Sequence, residues 1–278
     1  MEKDLKPPKT PARLIGLTGA PGAGKSTVTG ALVAGFLARG ATVAVLAIDP
    51  SSPFSGGALL GDRIRMQSHA TEPGVFIRSM GSRGRLGGLS AAAPQAIRVL
   101  QAAGYQVILV ETVGVGQAEV EIASAADTTV VLVVPGMGDS VQAAKAGVLE
   151  IADVLVVNKA DRPDTQATVR DLRTMVSLAP AAWRPPIVTT VATANEGIDD
   201  LLRELDRHDA WLNESGERTR RRLARARDEV TALAFGRLAR LLAVPDDLAA
   251  RVADGALGPN QAAAELLAAA GLPELADD

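Results

Sequence analysis

The chain has 278 residues, 47% of them hydrophobic, and a formal net charge of −3, which suits one large α/β domain plus an appendage. It contains no cysteine and two histidines, His69 and His208, which excludes disulfides, thiolate zinc sites, iron–sulfur clusters and thiol catalysis and disfavours an imidazole-rich metal site. Near-neutral charge gives no reason to expect nucleic acid or an acidic membrane surface as a partner.

Residues 1–12 carry Pro7, Pro8 and Pro11 among charges and read as a flexible lead-in. They hold no apolar core of signal-peptide length, and no run elsewhere reaches membrane-spanning length, so a cytoplasmic protein is expected. A strand over Arg13–Thr18 enters the loop Gly19-Ala20-Pro21-Gly22-Ala23-Gly24-Lys25-Ser26-Thr27, and a helix follows over Ser26–Arg39, ended by Gly40. This is G-x-x-x-x-G-K-[ST] after a strand and before a helix, the context that gives the motif meaning. The loop's inward N–H groups and the positive helix end surround a phosphate. Lys25 adds charge for the β/γ-phosphates, and Ser26 a hydroxyl for Mg²⁺.

Thr42–Ile48 is a continuous apolar strand, the pattern of a sheet buried on both faces, and it ends in Asp49. A polar loop follows through Asp62, then a strand over Val75–Met80 and a helix from Ser90 to about Ala103. The strand Gln106–Glu111 leads into Glu111-Thr112-Val113-Gly114-Val115-Gly116-Gln117. Helices are expected over Ala118–Ala125 and Val141–Glu150, and strands over Thr128–Val134 and Val154–Val157, the latter delivering Asn158-Lys159-Ala160-Asp161. A helix over Thr165–Ser177, a strand over Ile187–Val191 and a helix over Glu196–Asn213 complete the alternation. Such alternation predicts the α/β fold of a P-loop NTPase, a doubly wound and mostly parallel sheet over residues 13–214. Ligands in these sheets sit beyond the carboxyl ends of the strands, where each motif falls.

From residue 215 the chain turns Arg- and Ala-rich, with helical spacing over Glu217–Leu242 and shorter helices at Asp246–Ala253 and Pro259–Ala270. Residues 215–278 therefore read as a C-terminal helical extension that packs on the main domain or on a second subunit. The run Arg218, Arg220, Arg221, Arg222, Arg225 and Arg227 is broken by Glu217, Asp228 and Glu229, which suits a solvated helix face or a subunit contact better than nucleic acid. His69 and His208 read as surface or satisfied structural residues.

N-K-x-D at Asn158–Asp161 follows an apolar strand downstream of a phosphate loop. A carboxylate at Asp161 accepts the two neighbouring N–H donors on one edge of guanine, a pair that adenine lacks, so GTP is selected over ATP. Asn158 braces the base and its loop, the stem of Lys159 covers one face, and the backbone of Val191, Ala192 and Thr193 sits where N–H groups meet the guanine carbonyl oxygen. Mg²⁺ prefers hard oxygens, and Ser26, Asp49, Asp62 and Glu111 are the candidates. Asp49 and Asp62 also suit a turn and a helix cap. Lys25, Glu111 and Gln117 form the candidate catalytic set. Gln117 is placed to orient an attacking water, although a solvated turn fits it equally.

With these residues assembled, the chain resembles the MeaB/ArgK/MMAA-type GTPases, the G-protein chaperones of adenosylcobalamin-dependent acyl-CoA mutases. The similar stretches are Gly19–Thr27, Ile48–Met66, Ile77–Ser90, Val110–Glu119, Pro135–Gly147 and Glu150–Asp161, with a further likeness at Ala253–Ala263. The resemblance implies that Asp49 and Asp62 are Mg²⁺ and switch residues and that Gly136–Lys145 is a third switch that reads the mutase. It implies a homodimer made through the C-terminal arm, GTP-gated delivery or protection of adenosylcobalamin, and an adenosyltransferase as a third partner. A nickel-type metallochaperone GTPase and an ATP-dependent small-molecule kinase are the alternatives. The lack of cysteine weighs against the first, and Asp161 against the second.

Overall fold

The computed structural model describes residues 11–49, 72–81, 93–112, 124–136, 150–178 and 182–272. Strands β1 (Arg13–Gly19), β2 (Val43–Asp49), β3 (Val75–Gly81), β4 (Val107–Thr112), β5 (Thr128–Val133), β6 (Val154–Asn158) and β7 (Ile187–Thr190) form one sheet in the order β3-β2-β4-β1-β5-β6-β7. Every described pairing is parallel, so the expected "mostly parallel" sheet is wholly parallel among these residues. The central strands are runs of Val, Ile and Leu, buried along their length, because helices cover both faces.

Successive side chains alternate between those faces. On one, Ile15, Leu17, Val45, Leu109, Leu132 and Val156 pack with α1 (Lys25–Ala38) through Val28, Leu32 and Phe36, and with α4 (Ile198–Glu214) through Leu201, Leu202 and Leu205. On the other, Leu14, Leu46 and Ile108 meet Ile97 and Leu100 of α2 (Ala93–Ala102), while Val131, Val133 and Leu155 meet Val169 and Leu172 of α3 (Thr165–Leu178). Each fully buried Leu or Ile contributes ~1.5–3 kcal/mol, so this sandwich is the main source of stability. The expected helices over 118–125 and 141–150 fall almost wholly outside the described residues.

The amino ends of the strands carry a second organising feature. Asp127 and Asp153 directly precede β5 and β6 and are almost fully buried. Asp153 accepts the Thr129 N–H at 2.8 Å and a two-pronged pair from Arg221 at 2.8 and 2.9 Å. Arg222 reaches Asp127 at 2.9 Å and Arg218 reaches it at 3.2 Å. Three arginines of the run are thus committed within the chain, which corrects the expectation of a solvated or intersubunit face for those three. Two carboxylates buried ahead of apolar strands require cationic partners, and the first turns of α5 (Glu217–Leu241) supply them. Arg220 remains exposed and pairs with Glu217.

His208 is a fully buried structural residue and not a surface one. Its Nδ1 lies 2.9 Å from the Thr128 hydroxyl, and its Nε2 lies 3.3 Å from Asp153 without the alignment of a good hydrogen bond. Trp183 and Trp211 pack on the imidazole, and Trp183 donates to the Asp153 carbonyl at 2.8 Å.

The chain divides into two compact units, Met1–Arg222 and Leu223–Asp278. Within the second, α6 (Asp246–Ala253) and α7 (Pro259–Ala269) bury Leu248 and Ala262 and are linked by Arg251 and Glu265 at 2.8 Å. Leu223, Val230, Leu233 and Leu241 of α5 are exposed. Among the described residues no helix is long and apolar enough to cross a membrane.

Burial alone would raise the Asp153 carboxyl, but His208 and Arg221 outweigh it and hold the group below its ordinary value of 3.8. The charged form is therefore favoured by folding. This stabilisation is fully present above pH ~4 and is lost as pH falls through the depressed folded value. In urea unfolding, Asp153→Asn should cost ~3 kcal/mol at pH 7, and the gap to the native chain should narrow toward pH 3. A gap that stays constant across that range would contradict the assignment.

Candidate functional site

Because the sheet is parallel, the carboxyl ends of β1, β4, β6 and β7 open on one rim. Gly19 closes β1 at φ +140°, and a Cβ there would lie 2.2 Å from the Leu132 carbonyl oxygen of β5. Gly24 sits at φ +90°, and a Cβ there would lie 2.3 Å from Asn158 Nδ2. Both positions demand glycine on backbone and packing grounds together. The loop closes through Ala23 N–H to the Ala20 carbonyl at 3.1 Å, and α1 begins with Val28 N–H to the Gly24 carbonyl at 2.9 Å. No side chain caps the start of α1, and no acidic residue lies in its first turn. The start of an α-helix presents backbone N–H groups and a positive dipole end, which suit an anion.

Lys25 is buried, with Nζ 2.7 Å from the Gly19 carbonyl and 3.1 Å from that of Ala20. Glu111, near the end of β4, is buried and accepts the Ser26 hydroxyl at 2.6 Å and the Thr29 hydroxyl at 2.9 Å. Next to it, the Thr112 hydroxyl lies 3.2 Å from that of Thr18 on β1.

Asn158 ends β6 and is also buried. Its amide donates to the Ala23 carbonyl at 2.9 Å, and its oxygen accepts the Thr190 hydroxyl at 3.0 Å and the Ala192 N–H at 3.3 Å. Lys159 adopts φ +60° and donates from Nζ to the Gly22 carbonyl at 2.9 Å. Ala160 N–H bonds to the Thr190 carbonyl at 3.0 Å, and Asp161 follows in an exposed turn. Val191 bridges to Glu196, and Ala192–Ala194 form one 3₁₀ turn containing Thr193.

The rim thus gathers Gly19, Ala20, Pro21, Gly22, Ala23, Gly24, Lys25 and Ser26 with Glu111, Asn158, Lys159, Asp161, Val191, Ala192 and Thr193. Thr27 is exposed on α1, whereas Ser26 is the hydroxyl that meets Glu111. Asp49 ends β2, but its side chain lies outside the described residues, as do Asp62 and Gln117. Sequence reasoning missed Thr29. The available signal was its place three residues after Ser26, on the same side of one helical turn.

A phosphate-loop strand–turn–helix and an N-K-x-D turn on one rim of a parallel sheet define the protein as a P-loop GTPase. More narrowly, it belongs to the MeaB family: the family model described as methylmalonyl Co-A mutase-associated GTPase MeaB matches residues 3–245. A putative GTPase of Pyrococcus abyssi is 51% identical over 233 residues, which is 82% of this chain and 72% of that protein. The mitochondrial methylmalonic aciduria type A homolog of Caenorhabditis elegans is 36% identical over 217 residues, 75% of this chain and 54% of that one. The solved structure described as LAO/AO transport system kinase matches with a TM-score of 0.69 and 27% identity, covering 92% of this chain and 81% of its own.

Gly24→Ala places a methyl group against Asn158 in a backbone conformation that alanine resists. It should lower the unfolding free energy by roughly 2 kcal/mol and abolish measurable GDP binding in titration calorimetry. Native GDP affinity in this variant would contradict the packing described.

Proposed function

We propose that this GTPase is a nucleotide-driven switch that gates delivery of adenosylcobalamin to, and protects, a cobalamin-dependent acyl-CoA mutase of the methylmalonyl-CoA mutase type. The family is associated with that mutase by description. The observation that carries the nucleotide half of this reading is Asn158, whose one side chain bonds to the phosphate loop and to the segment after β7.

In this reading the backbone N–H groups of the Gly19–Thr27 stretch, Pro21 excepted because it has none, receive the phosphates of GTP, and Lys25 exchanges carbonyl partners for phosphate oxygen, a stronger partner for a buried cation. Asp161 takes the two N–H groups on the guanine edge, the stem of Lys159 covers the base, and the backbone at Val191–Thr193 serves the guanine carbonyl oxygen. Ser26 and Glu111 are adjacent hard-oxygen donors, a set that fits Mg²⁺, and Asp49 and Asp62 complete the candidate ligands. When bound, the ion neutralises charge between phosphate oxygens. Gln117 orients the attacking water. The sequence offers no evident arginine finger, so intrinsic hydrolysis is slow and a partner accelerates it.

Residues 49–66 and 111–117 are assigned as the nucleotide-sensing switches and residues 136–145 as the switch that reads the mutase, segments that lie almost wholly outside the described residues. The mutase must bind the two states with different affinity. The exposed apolar positions of α5 fit a second copy of the chain, giving a cytoplasmic homodimer, and an adenosyltransferase is the third partner. A nickel metallochaperone is disfavoured because there is no cysteine and His208 is committed to Thr128 and Asp153.

Asp161→Asn should reverse base preference, lowering kcat/KM for GTP by ~100-fold or more while gaining activity with xanthosine triphosphate. Unchanged discrimination would overturn the base site. Lys25→Ala should abolish phosphate release. Adding the purified mutase should raise GTP turnover and retain the GTPase on an affinity column; unaltered turnover with no retention would overturn the client assignment.

A further inference from the structure

We infer that Thr29 is a positioning residue for Glu111, a second hydroxyl that fixes the carboxylate's orientation beside Ser26 and thereby sets Mg²⁺ affinity. This rests on the reading of Ser26 and Glu111 as the magnesium side of the nucleotide site.

Thr29 lies on the face of α1 that packs against the sheet, between the buried apolar residues Val28 and Leu32, and it is fully buried. A hydroxyl so placed needs a partner. Within a helix the ordinary partner is the carbonyl four residues back, here that of Lys25. Thr29 instead donates to Glu111 Oε2 at 2.9 Å, while Ser26 donates to Oε1 at 2.6 Å. A hydroxyl carries one proton, so this use is exclusive. Both carboxylate oxygens are thereby fixed from one helix, at positions i and i+3 of a single turn. The terminal torsion of a glutamate is otherwise broad and nearly two-fold. Hydrogen bonds to both oxygens restrict the plane of the carboxylate, and Thr29 supplies one of them. The hydroxyl of Ser26 can donate to Glu111 while its lone pairs serve a cation, so the pinned carboxylate orients the serine in turn. Partners that orient metal ligands commonly change metal affinity 10–100-fold when removed.

The test compares Thr29→Val, which keeps the shape but not the proton, with Thr29→Ser, which keeps the proton but not the methyl. Release of a fluorescent GDP analogue is followed over a Mg²⁺ titration, and GDP affinity is measured again in EDTA. Thr29→Val should raise the Mg²⁺ midpoint about tenfold and leave Mg²⁺-free GDP affinity unchanged, while Thr29→Ser should return the midpoint to within about twofold of native. A native midpoint in Thr29→Val overturns the role of Thr29 and leaves the metal assignment standing. Equal losses in both variants overturn it in favour of packing. GDP retention by the native chain that ignores Mg²⁺ overturns the metal reading beneath it. If Thr29→Val does not fold, Thr29→Ala takes its place against Thr29→Ser with the same required contrast.

Discussion

One buried amide holds the candidate site together. Asn158 donates to the Ala23 carbonyl and accepts from the Thr190 hydroxyl and the Ala192 N–H, so its side chain bridges the loop after β1 and the segment after β7. In a low-dielectric interior each of these bonds is stronger than in water, and a broken one is costly because the group left behind is desolvated. The bridge exists only because Gly24 lacks a side chain: the space a Cβ would take is where the Asn158 nitrogen lies. Lys159 adds a second tie to Gly22 from the next residue. A phosphate loop and an N-K-x-D loop so joined behave as one body.

The parallel sheet divides labour between its two ends. Its carboxyl rim collects glycine loops, the start of α1, Lys25 and Glu111. Its amino rim collects Asp127 and Asp153, which are neutralised by Arg218, Arg221 and Arg222. Both ends bury carboxylates, but their partners differ. At the amino rim the partners are cations, a closed arrangement that stabilises the fold. At the carboxyl rim Glu111 accepts hydrogen bonds from the hydroxyls of Ser26 and Thr29.

Much of this was legible in the sequence, and the reasons differ by element. Apolar runs such as Val154–Asn158 read directly as buried parallel strands, because a strand covered on both faces has no polar alternation to hide it. The phosphate loop and N-K-x-D were legible because each is contiguous and each needs particular residues. Thr29 was not, since its meaning lies in a contact 82 residues away with Glu111. Thr27 belongs to the same motif as Ser26 and has an exposed side chain, one helical position and about 100° further on. Arg218, Arg221 and Arg222 were misread for the same kind of reason that hid Thr29. Their spacing marks a helix, but the carboxylates that claim Arg221 and Arg222 lie 68 and 95 residues earlier, each hidden as a lone Asp before a strand.

A crystal structure of the chain with GDP and Mg²⁺ tests the central claim most directly. The β-phosphate should lie within hydrogen-bond reach of Lys25 Nζ and of the backbone amides ahead of α1, with the Asp161 carboxylate on the guanine edge and Asn158 still bridging the loops. A nucleotide bound away from Lys25, or an Asp161 turned from the base, would contradict it.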